Sequence, residues 1–500
     1  MSIIKGIYQN VISIFYSNIY VYLGLFVCIY MIYFLSLRNG PVITFLFAFL
    51  PMILAFAGLI SGKPYNLVIL FFVLNYFIMP MGRYIESLKP GMIMLGLSLG
   101  ILLYLAAFSV FKKLEWNRIR TPFLFLWLIW MTFCATQLFR SDVIFEAWSI
   151  SIGTYALFAV CMGIFIPLLF YRFKDLQFLL ILWSVFIIFA TAKGYWQKSH
   201  GFDATELQWL WAYGYRTHFL RTGIRYFSIF TDAANYGTSN GFSLVVFSIS
   251  AFFIKNKLLR IYFLVIAAMS LYGMLLSGTR SATVIPFIGI ACFIFLSKSS
   301  KSMVIGTMLL VATFSFLNFT TIGDENRFIR RLRTSFDTSD ASLVVRQENQ
   351  QLLSNYMADH PFGVGMGLSA GRASRWVTDS TSPIIANDSW LVMVWTETGI
   401  VGLSLYLVMI AIMYAWGAYI ILFKIKSKRL RGILTALYSG SIGLFASSYG
   451  NEVMGFPNGI LSYMAMVYVF IGPTLDKELL EEDNVALESQ KKLENARHPA

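Results

Sequence analysis

Apolar runs dominate this chain, and their length selects one kind of element. Stretches of about 18 or more apolar residues, separated by short polar segments, recur from residue 20 to residue 474. Wound as helices, such stretches match the ~30 Å hydrocarbon core of a bilayer. The pattern predicts spans over 20–37, 41–60, 66–82, 91–111, 122–138, 144–170, 177–192, 238–254, 261–276, 281–297, 302–320, 398–423, 434–449 and 456–474. That is about 12–14 spans, and the expected fold class is all-α: a polytopic membrane bundle with a long outer loop containing short helices.

Composition narrows the choice further. The chain is 58% hydrophobic and 13% charged, whereas soluble domains average about 45–50% and about 25%. A water-soluble fold could not hide that much apolar surface. The length alone would fit two or three soluble domains, but the even spread of apolar runs favours one bundle. The first residues lack a cleavage motif after the span near 20–37, so that span is expected to stay as a helix. Cys28, Cys134, Cys161 and Cys292 each sit inside an apolar run and read as small buried hydrophobes, with no metal-ligand spacing.

The net charge of +14 would suggest nucleic acid in a soluble protein. Here the basic residues cluster in short loops. Lys112, Lys113, Arg118 and Arg120 follow the fourth span, and Arg172 and Lys174 the sixth. Lys255, Lys257 and Arg260 follow the eighth, and Lys298 and Lys301 the tenth. Lys424, Lys426, Lys428, Arg429 and Arg431 follow the twelfth. Each cluster follows an even-numbered span, so all share one face, expected to be cytoplasmic with both termini. The long polar loops, 193–237 and 321–388, then lie outside. Three regions follow: an N-terminal bundle with the first outer loop (1–237), a core carrying the second (238–474), and a charged, solvated tail (475–500).

Outer loops see no ATP or nucleotide sugars, but they can reach lipid-linked or extracellular substrates. Arginines gather there. Arg216, Arg221 and Arg225 precede Phe230-Thr-Asp-Ala-Ala-Asn-Tyr-Gly237, and Arg280 sits in Ser277-Gly-Thr-Arg-Ser281 between two apolar runs. A charge at a span end is costly and marks an anion site, a snorkelling side chain or an ion pair. Arg327, Arg330, Arg331 and Arg333 read as a solvated or headgroup face. Arg346 lies near the start of a helix-like stretch, 345–358. His360-Pro-Phe-Gly-Val-Gly-Met-Gly367 has dinucleotide-like glycine spacing but follows a helical pattern, so it reads as a glycine-rich turn. His360 is either structural or a base or phosphate contact. Asn387-Asp388-Ser389-Trp390 and Glu397-Thr-Gly399-Ile-Val-Gly402 close the loop; Asp388 is open as a base, and Glu397 is expected to pair with an arginine. Trp196, Trp209, Trp211, Tyr213 and Tyr215 fit an interfacial belt, or stacking on sugar rings.

In this order the motifs over about residues 220–420 resemble the O-antigen ligase and O-antigen polymerase superfamily of bacterial envelope glycosyltransferases. The resemblance implies a multi-pass enzyme of the inner membrane, active at the periplasmic face. It implies an undecaprenyl-diphosphate-linked glycan as donor, a glycan or lipid A-core as acceptor, and neither cofactor nor metal. It implies that Arg225 and Arg280 contact the donor diphosphate and that Arg346 belongs to the outer loop region that helps shape the site. From the residues themselves, Asp388 is a candidate at the chemistry, and Arg221, His360, Asn387 and Glu397 are candidate substrate contacts. Family ligases often carry a histidine just before the asparagine closing the loop; here that position is Ala386. The departure leans toward a polymerase. A lipid-linked oligosaccharide flippase is the rival, but transporters usually bind at the midplane between internal repeats, and no repeat is visible.

Overall fold

The computed structural model describes residues 63–85, 88–112, 114–220, 223–298, 300–323, 325, 330, 333, 341–369 and 389–497. The expected spans 20–37 and 41–60 lie outside these residues. Every later span is a helix. In chain order these are α1 (Pro64–Phe77), a single turn α2 (Met81–Tyr84), α3 (Pro90–Phe111), α4 (Pro122–Thr136), α5 (Phe145–Ile152), α6 (Phe158–Leu169) and α7 (Phe173–His200). The segment between α7 and α10 holds α8 (Ala204–Trp209), α9 (Tyr215–His218) and a ribbon, β1 (Phe219–Leu220) against β2 (Gly223–Ile224). Then come α10 (Ala233–Phe253), α11 (Lys257–Ser277), α12 (Arg280–Leu296), α13 (Ser300–Phe319), α14 (Ala341–Met357), α15 (Trp390–Tyr419), α16 (Lys428–Ser447) and α17 (Asn458–Arg497). Among the described residues, seven helical stretches are long and apolar enough to cross a bilayer. The protein is an all-α polytopic membrane bundle; the antiparallel ribbon, with Leu220 opposite Gly223, is the small addition to that expectation.

α10 is the axis of the bundle, packed against α11, α12 and α16. Close approach depends on small residues, as in membrane helix packing generally. A Cβ on Gly443 of α16 would come within 2.6 Å of the Ile285 carbonyl of α12, so only glycine fits that contact. Around this axis Trp183 meets Phe242 and Phe247 edge-on at 4.9 and 5.5 Å, within the favourable range for aromatic pairs.

Three boundaries differ from the sequence expectation. The span expected to end at 192 continues through Lys193 to His200. Lys193 is buried and pairs with Glu206 at 3.2 Å and Asp203 at 3.8 Å, while Gln197 donates to Glu206 at 2.9 Å. A charge that would normally end a span is thus neutralised within the fold. α15 begins at Trp390 instead of 398, where Ser389 caps it by accepting from the Val392 amide at 3.1 Å. The tail after 475 is not free: α17 runs on, Asp476 accepts from the amides of Lys426 and Ser427, and Glu478 accepts from that of Phe173.

Direct contacts gather the basic clusters at one end. Arg118 lies over the Tyr171 ring at 3.4 Å, Arg429 over Phe173 at 4.5 Å, and Lys298 over Phe423 at 5.4 Å. The starts of α7 and α16 and the ends of α12 and α15 therefore share this end. The start of α12, with Arg280, lies at the other.

Candidate active site

At the end opposite the basic clusters, the turn between α11 and α12 carries the site. Gly278 caps α11 in the left-handed conformation (φ 54°) and turns the chain into Thr279 and then Arg280, the first residue of α12. The Thr279 hydroxyl donates to the Ala233 carbonyl at 2.8 Å, which binds the turn to the start of α10. There Asp232 caps α10: its carboxylate accepts from the Asn235 amide at 2.9 Å and from Asn235 Nδ2 at 2.7 Å.

Arg225 ties these pieces together. Its guanidinium donates to the Thr217 carbonyl at 3.0 Å, the Thr279 hydroxyl at 2.8 Å and the Ser277 carbonyl at 3.3 Å. Its own amide donates to the His218 carbonyl. Burial pushes the Arg225 pKa down to about 10; Asp232 opposes that shift, and the charges of Arg280 and Arg346 reinforce it. Arg225 remains a cation at neutral pH, in the field of two further arginines.

Arg346 projects from α14 toward the turn between α16 and α17. Its Nη1 lies 3.7 Å from where a Cβ on Gly450 would stand, and Ser281 Cβ lies 3.2 Å from the same point. Asn451 donates through Nδ2 to the Ser281 hydroxyl. The Trp390 amide donates to the carbonyls of Ser448 (3.1 Å) and Asn451 (3.3 Å), which brings the start of α15 to the same turn. The fold thus brings together Arg225, Arg280 and Arg346, three arginines singled out in the sequence. Arg221, Asn387 and Asp388 lie outside the described residues.

His360 and Glu397 belong to a second cluster, where the glycine-rich turn packs on α15. Gly363, Gly365 and Gly367 all have positive φ, and the Gly365 amide donates to the Glu397 carbonyl at 3.2 Å. The Glu397 carboxylate is fully buried and accepts from the Gly367 amide at 2.7 Å and the Ser369 hydroxyl at 2.5 Å. These bonds hold the glycine-rich turn against α15. His360 stacks on Tyr356 at 4.5 Å, and its Nδ1 lies 3.0 Å from the Tyr356 carbonyl, which makes that nitrogen the donor.

Several supporting residues escaped the sequence. Arg140 donates to the carbonyls of Phe362 (2.6 Å) and Gly363 (2.9 Å) and pairs with Asp142. That arginine lowers the Asp142 pKa. Arg83 lies over Trp209 and Phe227 at 4.2 and 4.4 Å and donates to the Thr231 carbonyl at 2.8 Å. Trp209 is therefore part of the loop's packing and not of a lipid belt, whereas Trp211 and Tyr213 stay exposed. His218 accepts from the Ala233 amide at Nε2 (3.3 Å), and its Nδ1 faces the Gly214 carbonyl at 3.0 Å. Burial lowers its pKa to about 4, so it is neutral. Backbone carbonyls supply most of these partners, and they leave no mark in a sequence; a polar run such as Tyr449-Gly-Asn-Glu452 between spans was the one visible hint.

The class is now defined: a multi-pass helical membrane protein with an arginine-rich site where two helix starts and a turn converge. The O-antigen ligase family model matches residues 263–407, from within α11 to within α15. The match includes Arg280, Arg346, His360 and Glu397 and stops short of Arg225. No curated protein matches the chain. The family match supports a glycosyl-transferring role of the O-antigen ligase type in envelope polysaccharide synthesis.

Proposed function

We propose that this protein transfers an undecaprenyl-diphosphate-linked glycan at the periplasmic face of the bacterial inner membrane, as a repeat-unit polymerase or as a ligase to a lipid A-core acceptor. The convergence of Arg225, Arg280 and Arg346 carries the proposal. An acceptor hydroxyl oxygen attacks the anomeric carbon, and the bond from that carbon to the diphosphate oxygen breaks with its electron pair leaving on the diphosphate. Guanidinium groups fixed beforehand meet that charge as it forms, the kind of stabilisation worth ~10²–10³ in rate per donor. Arg225 is immobilised by its neighbours, so its cost of ordering is met in folding. Arg280 and Arg346 are both partly exposed, which supports their contact with the diphosphate in this reading. The hydroxyl proton passes to a base, for which Asp388 is the candidate, or to the departing phosphate. Charge compensation of this kind requires no metal. The absence of a histidine at Ala386 favours the polymerase.

The test is a glycan gel, probed for lipid-linked intermediates, from a strain lacking the gene and complemented with wild type or Arg280→Ala. Single repeats without a ladder identify a polymerase. Full-length chains stalled on undecaprenyl diphosphate identify a ligase. An unchanged profile in the deletion strain overturns both and returns weight to a transporter or to a different substrate.

A further inference from the structure

The end of the bundle away from the arginine site holds a cavity of about 330 Å³ where α10, α12 and α16 diverge. Its size falls within the ~300–1,000 Å³ of small-molecule sites. Phe253 and Phe293 form its apolar wall, and Lys298, Lys428 and Arg431 its charged rim, with Thr435 at its polar edge. Among the described residues, no carboxylate lines it. Asp476, at the neighbouring loop, is engaged by the backbone amides of Lys426 and Ser427. Lys298 is steered by its contact with the Phe423 ring. The ring of Phe253 lies on Gly432, where any Cβ would collide with it, so the wall is set by packing.

We infer that this cavity binds the phosphate headgroup of an anionic phospholipid from the leaflet at this end, with an acyl chain along Phe253 and Phe293. Cations on a rim with an apolar wall match a lipid's phosphate and first methylenes, and basic pockets between membrane helices suit such headgroups. The site is separate from the arginine end, so it stands or falls independently of the glycan-transfer proposal.

The test uses the full-length protein in neutral detergent, with retained lipid counted by native mass spectrometry. Phosphatidylglycerol, phosphatidylcholine and inorganic phosphate are titrated in separate arms. Phosphatidylglycerol should bind one-to-one and more tightly than phosphatidylcholine. Lys428→Gln/Arg431→Gln should weaken it by about fivefold per charge, roughly 25-fold for the pair. The charge-keeping Lys428→Arg/Arg431→Lys should retain binding, which separates lost charge from lost folding. Lys257→Gln/Lys301→Gln, which removes charge elsewhere at the same end, should leave binding intact. Equal binding of the two lipids, inorganic phosphate competing as a complete substitute, or equal loss in the Lys257/Lys301 variant would each overturn the assignment.

Discussion

Arg225 shows at the scale of one residue why guanidinium is needed. Its three acceptors, the Thr217 and Ser277 carbonyls and the Thr279 hydroxyl, lie around a planar fork that an ammonium cannot span. Arg225→Lys should keep the charge, fold and reach the membrane, yet lose about 100-fold in glycan transfer, measured with a lipid-linked donor on purified protein. Near-wild-type turnover would show that only the charge matters. His218 makes a pH-dependent contribution to stability. It titrates near 4 when folded against an ordinary 6.5, so the unfolded chain takes up its proton first. Its stabilisation is complete above about 6.5 and is lost as pH falls toward 4, by an amount on the order of 3 kcal/mol. Melting temperatures of wild type and His218→Gln across that window should converge at low pH. Sequence alone flagged Arg225 but not His218, because its partners, Gly214 and Ala233, act through backbone atoms.

At the scale of the element, α15 is two helices joined through one residue. Gly399 has φ 70° and ψ −175°, and a Cβ there would lie 2.0 Å from the Pro361 carbonyl. The break lets Glu397 face the glycine-rich turn while the rest of α15 spans the membrane. Gly399→Ala therefore meets both left-handed strain and backbone overlap. It should strongly reduce the yield of monodisperse protein on size-exclusion chromatography. Gly96→Ala is the contrast: that position in α3 has open space, and alanine should be neutral or stabilising by up to ~1 kcal/mol. The motif Glu397-Thr-Gly399 was legible as a motif. Its pairing with His360–Gly367 was not, since the two meet only when α14 and α15 pack.

The whole molecule is polarised along the bundle. One end collects Arg118, Arg172, Lys298 and Arg429; the other collects Arg225, Arg280 and Arg346. If the first end is cytoplasmic, as the positive-inside rule expects, reporter fusions should separate the faces. A phosphatase that is active only outside the cytoplasm should work when fused after Glu325 and fail when fused after Ser427. The reverse pattern would place the arginine site inside and remove its access to a periplasmic acceptor.

The sequence by itself determined the membrane class, the long apolar helices apart from the ends of α7, α15 and α17, and the segregation of basic loops. Those follow from apolar run length and charge spacing, which are local and additive along the chain. Tertiary structure decided that Lys193 sits inside a helix, that Glu397 is a buried brace, and that Arg140 and Asn451 support the loops around the site. It also decided that Arg225, Arg280 and Arg346, far apart in sequence, share one field. The reason is physical: burial, neutralisation and close backbone approach depend on which helices meet, and a run of hydrophobicity says only that a helix forms, not which neighbour completes it.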